Sequence, residues 1–146
     1  MMTVNEARAE MRDIASDACA AGIHLMDGAA RCTRRGGGMD AGVARPVIGE
    51  TLDRLDALRA RLADLGERVA AMEGGAAMSD EELAEAEELA YGLWLDIGET
   101  RRSSEGGEAV GRRAVNRLLR DASTIAVMFF QMAADMRPDR EEGDHE

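Results

Sequence analysis

Residues 48–72 read IGETLDRLDALRARLADLGERVAAM, and their spacing decides the fold. Ile48, Leu55, Leu62 and Val69 recur every seven residues. Thr51, Leu58, Leu65 and Met72 form a second series, offset by three. Two interleaved series of this kind line one side of a helix and pack against another helix. Glu50 precedes Arg54 by four residues and Asp64 precedes Arg68 by four, so both pairs support the helix from its solvent side. Pro46 sits where a first turn can accept it, and Gly74-Gly75 stops the run, so the reading is one helix over about 44–73.

The same period extends in both directions. Upstream, Val4, Met11, Ala18, Leu25 and Cys32 alternate with Ala7, Ile14, Ala21 and Gly28, predicting a helix over about 3–33. The small residues of its second half allow a neighbour to approach closely. Arg34-Arg-Gly-Gly-Gly38 ends it. Downstream, Ser79-Asp-Glu-Glu82 fits a capping box, and Leu83, Ala86, Ala90, Leu93 and Ile97 form an inward stripe, predicting a helix over about 79–102. Ser103-Ser-Glu-Gly-Gly107 reads as a loop. Val115, Ala122, Phe129 and Met136, with Leu118, Ile125 and Met132, predict a fourth helix over about 108–137. Pro138 ends it, and 139–146 reads as a disordered acidic tail.

Four amphipathic helices joined by short Gly-rich loops imply an all-α fold, an antiparallel up-down four-helix bundle with coiled-coil-like seams, forming a single domain over 1–138. The rival is a helical hairpin that pairs with a second copy, since both share the same packing geometry. The 146 residues, 45% apolar and 32% charged, suit one globular domain. Strand-forming residues are too sparse for a sheet.

No run approaches the ~20 apolar residues that span a bilayer. The start of the chain lacks the basic and apolar regions of a signal peptide, so a soluble cytoplasmic protein is expected. Cys19 and Cys32 on one helix are about 20 Å apart, too far to bridge. Net charge is −11, which disfavours general binding to nucleic acid or to an anionic membrane.

The charges are not evenly spread. In an up-down path the first and third loops share an end, which gathers Arg31, Arg34, Arg35, Arg45, Arg101, Arg102, Arg112 and Arg113 against only Asp40, Glu105 and Glu108. Such an Arg pole suits phosphate or carboxylate, and gives an anion- or nucleic-acid-binding reading. Arg also belongs at helix C-termini, although Arg112 and Arg113 stand at a helix start. The acidic face of the third helix, Glu81, Glu82, Glu85 and Glu88, supports another reading. It could occupy a partner's nucleic-acid-binding surface, as small phage and mobile-element inhibitors do, or it could simply be a solvated face. Arg54, Arg61 and Arg68, spaced by seven, are expected to pair with acids on the adjacent helix and fix register.

Apolar residues also exceed what one face needs. Tyr91 and Leu95 lie off the inward stripe of the third helix, and Met128 and Phe130 add to that of the fourth. With Trp94, these five form the expected partner interface. The competing assignment puts Trp94 in the core, filling space left by Ala18, Ala21 and Gly28.

Catalytic and metal signals are weak. His24 is the only histidine before the tail, near Asp13, Asp17 and Asp27, and a lone His without a Cys cluster is a poor ligand set. It reads as an exposed polar-face residue. His24-Leu-Met-Asp-Gly resembles, over a few residues, the His-x-x-Lys-Gly segment of histidine phosphotransfer domains. Asp27 replaces the basic residue there, which is electrostatically wrong beside a phosphohistidine. No phosphate loop, Rossmann context or Glu-x-x-His motif occurs. The sequence therefore leads to a non-enzymatic module without cofactor or metal, working by contact with another protein or as a homodimer.

Overall fold

A computed structural model describes residues 2–32, 41–72, 77–105 and 111–136. They form four helices: α1 (Val4–Cys32), α2 (Ala41–Ala70), α3 (Asp80–Glu105) and α4 (Arg112–Asp135). Each helix packs on the next in sequence, and α4 closes back on α1, making an all-α four-helix bundle. The direction of each helix follows from its cross-helix contacts. On α1 and α2, Glu10 meets Arg61 while His24 meets Glu50, so the two run antiparallel.

α2 buries both of its seven-residue series. Ile48, Thr51, Leu55, Leu58, Leu62, Leu65, Val69 and Met72 are all in the core, joined by Leu52. Each fully buried Leu or Ile contributes about 1.5–3 kcal/mol from apolar burial. The helix begins earlier than its sequence suggests. Pro46 is inside α2, not in its first turn, so the Gly42 carbonyl lacks its helical N–H donor.

α1 and α4 make the closest pair, and the cause is residue size. Ala15, Ala18 and Ala21 of α1 and Ala122, Ala126 and Ala133 of α4 are buried. A methyl group built on Gly22 would lie 3.8 Å from the Ala122 Cβ. The expected close approach along the second half of α1 is what the structure has.

The helix starts show how the chain enters the bundle. Ser79 and Glu82 form the reciprocal cap read from the sequence: the Glu82 N–H donates to Ser79 Oγ at 3.1 Å, and the Ser79 N–H donates to Glu82 Oε1 at 2.9 Å. α1 has the same device, unanticipated, in Thr3 and Glu6, at 3.1 and 2.9 Å. α4 starts at Arg112 behind Gly111, with no side-chain cap.

α3 runs on through Ser103, Ser104 and Glu105, which read as loop in the sequence. Thr100 and Ser104 continue the inward stripe of Leu93 and Ile97 and are buried. The Thr100 hydroxyl donates to the Asp96 carbonyl at 2.8 Å, which supplies a buried partner within the helix. Gly36-Gly-Gly38, Gly74-Gly75, Gly106-Gly107, Pro138 and the acidic tail lie outside the described residues. Among the described residues, no helix is long and apolar enough to cross a membrane.

Candidate functional site

The outer face of α3 carries the largest apolar side chains that the bundle leaves uncovered together. Tyr91 is 62% exposed, Trp94 53% and Leu95 45%. The chain has four aromatic residues, and only Phe129 is in the core. Trp94 therefore does not fill the space beside Ala18, Ala21 and Gly28, because α4 closes on α1 there. The Tyr91 and Trp94 rings stack with centroids 6.0 Å apart and planes 24° from parallel. They line the groove between α3 and α2 with Arg59, whose Nε is 3.1 Å from Asp56. A continuation of that groove, about 290 Å³, takes in Leu95, Gly98, Arg101 and Arg102.

The other two expected interface residues are elsewhere. Met128 is half-buried against the core and lines an open groove of about 520 Å³ between α3 and α4, beside Val127 and opposite Glu82 and Glu85. Phe130 is 44% exposed and lines neither groove. The five residues thus do not form one surface; Tyr91, Trp94 and Leu95 do. Ile23 and Met26 of α1 are also exposed. Nothing in their spacing marked them, since they lie off the α1 seam.

A second feature is polar and was not anticipated. Where α3 meets α4, the least extensive of the four helix contacts, Asp96 faces Asp121. Burial, above all, pushes the Asp121 carboxyl up to about 8, helped by its hydrogen bond and like charge with Asp96, against the pull of Arg120 and Arg117. Arg117 Nε is 3.6 Å from Asp96, and its Nη2 is 3.5 Å from Glu99. Two carboxylates have no proton to share; with one proton between them, Asp121 and Asp96 make a hydrogen bond. Such a pair can hold and release a proton near neutrality. Among the described residues, no group of three His, Cys, Asp or Glu is placed to hold a metal.

No family model, curated protein or solved structure matches this chain.

Function must therefore be argued from geometry, and the remaining candidate residues narrow the choice. His24 is not an exposed polar-face residue. Its side chain is largely covered, with Nε2 3.5 Å from Glu50 of α2. Of its acidic neighbours in sequence, Asp13 and Asp17 are turned to Arg61. Arg61 does set register: it reaches Glu10, Asp13 and Asp17 of α1, with Glu10 at 2.7 Å and Asp17 also in direct contact. Arg54 and Arg68 instead pair within α2, with Glu50 and Asp64.

The Arg pole is only partly described. The side chains of Arg31 and Arg45, and all of Arg34 and Arg35, lie outside the described residues. Arg101 is 3.2 Å from Asp53, so one expected anion ligand is already paired. Arg102, Arg112 and Arg113 are exposed. On the acidic face, Glu81, Glu85 and Glu88 are exposed, while Glu82 is half-buried with its carboxylate committed to the α3 cap. Cys19 is exposed and free; the side chain of Cys32 lies outside the described residues.

Proposed function

We propose that this protein acts by protein–protein contact through the outer face of α3, as a non-enzymatic regulatory or adaptor module. One observation carries this: Tyr91, Trp94 and Leu95 stand exposed together on one helix face, while the core is built almost wholly from Leu, Ile, Met and Ala. Exposing large rings and burying alanines wastes the strongest apolar side chains available. Covering such side chains is worth about 1.5–3 kcal/mol each when burial is complete. Tyr and Trp are also the residues that dominate measured interface energetics.

The test is a photoreactive amino acid placed at position 91 or 95, with position 16, exposed on α1 away from α3, as the control. Irradiation in the cells that make the protein should give a discrete protein adduct from 91 and 95 and none from 16. Tyr91→Glu in a chain probed at 95 should abolish that adduct. If 91 and 95 give no protein adduct, or no more than 16 does, the proposal is wrong.

A further inference from the structure

The charges along α3 identify what covers this face. We infer that its occupant is a second copy of this chain, packed antiparallel on α3 about a two-fold axis near Trp94 and Leu95. This rests on the reading of the α3 face as a protein contact.

The exposed face of α3 has a seven-residue order of its own. Ala84, Tyr91 and Gly98 form one row; Glu87 with Glu88, Trp94 with Leu95, and Arg101 with Arg102 form the other. It is acidic at its start, apolar in the middle and basic at its end. Glu87 and Glu88 are exposed at one end and Arg102 at the other. Arg101 and Arg59 are turned to Asp53 and Asp56, so Arg102 is the cation this face presents outward.

A two-fold axis reverses one copy against the other. Glu87 and Arg102 stand at equal distances on either side of the Trp94–Leu95 midpoint, about 11 Å along the helix. Each Arg102 therefore meets Glu87 and Glu88 of the other copy, and the pairing occurs twice by symmetry. Parallel packing would set acid against acid and Arg against Arg. The same axis puts Tyr91 opposite Gly98, which offers a ring the flat seat that a side chain would fill; the nearest atom to a methyl there is Arg102 Nη1, at 3.5 Å. A foreign partner would need this order of charges reversed along its surface. A second copy has it by construction, which gives complementarity and register together.

Sedimentation equilibrium of the full chain, with fluorescence of Trp94, the only tryptophan, tests this directly. Wild type should pass from monomer to dimer as concentration rises, and Trp94 emission should shift to the blue with it. Arg102→Glu should weaken the dimer by about tenfold or more, as should Glu87→Arg combined with Glu88→Arg. Mixing those two variants should restore a dimer of one copy of each. A strict monomer overturns the inference, as does a dimer indifferent to these substitutions or one that leaves Trp94 in water. The failure modes separate. A monomer whose position-91 adduct contains a different protein removes the second copy and keeps the contact reading; a monomer with no adduct removes both.

Discussion

Two seams of this bundle are each built from one arginine and three carboxylates, and they behave oppositely. Between α1 and α2, Arg61 spans Glu10, Asp13 and Asp17. The three acids follow one another along α1, Asp13 and Asp17 exposed and Glu10 half-buried, and the Arg61 fork engages Glu10 through two nitrogens at 2.7 and 3.1 Å. Its hydrogen bond to Glu10, chiefly, raises the Arg61 pKa still further above its ordinary value. Between α3 and α4, Arg117 is set more loosely, 3.6 Å from Asp96 and 3.5 Å from Glu99, and the third acid, Asp121, is turned inward. Composition is nearly the same, and the second seam even has Arg120 as a further positive charge near Asp121. Depth decides whether the surplus negative charge is dissolved by water or must take up a proton.

The largest expected effect comes from breaking the second seam. The folded chain holds a proton on Asp121 up to about pH 8, whereas the unfolded chain releases it near its ordinary 3.8. Between those values the native state binds the extra proton, so stability falls as pH rises, and the loss is complete above the folded value. At full strength such a shift corresponds to about 6 kcal/mol, but Asp121 is only half-buried, and solvent screening reduces it to about 2 kcal/mol. Glu6, held low by its hydrogen bonds with Thr3, acts only at more acidic pH. Urea unfolding between about pH 5 and pH 9 should show this decline in wild type and a nearly level profile in Asp121→Asn. Parallel profiles for the two chains would mean that Asp121 is not the proton carrier.

The first seam should respond less, and differently. Arg61→Ala leaves Glu10, Asp13 and Asp17 facing α2 without their cation, at a cost of about 1 kcal/mol because the network is partly exposed. Added salt should recover much of this loss, since it screens the three acids from one another. Across the same pH range the effect should hardly change, in contrast to Asp121→Asn. A deficit that salt leaves intact would mean that Arg61 acts through the packing of its stem rather than its charge.

What could be read from the sequence follows the same division. Both seven-residue series of the α2 core were legible, though not Leu52 beside them, because a period of seven fixes a helix face without reference to any partner. The surplus of Tyr91 and Leu95 was legible for the same reason. Asp121 was not. It flanks the inward residues Leu118 and Ala122, and only the register of α3 against α4 shows that Asp96 stands opposite. Nor could spacing separate Phe130 from the Tyr91 face, since that depends on how far each helix is turned about its own axis. Pro46 and Ser104 misled because each carries a strong local preference, for a first turn and for a loop, that the packing of α2 and α3 overrides.

The smallest expected effect asks whether depth alone explains the contrast. Thr51 lies in the α2 core with no exposure at all, and its hydroxyl has no hydrogen-bond partner among the described residues. Unlike Asp121, it cannot relieve the cost by taking up a proton. Valine has nearly the same shape without the hydroxyl, and its lower helix preference differs little from that of threonine. Thr51→Val should therefore stabilise the fold, by about 0.5–1 kcal/mol, at every pH in the range used for Asp121. Chemical denaturation of the two chains side by side measures this, with an unchanged denaturant slope showing that the compactness of the two states is preserved. A loss of stability on substitution would reveal that the hydroxyl bonds a backbone carbonyl one turn back, and the buried polar group would then be satisfied in the manner of Thr100.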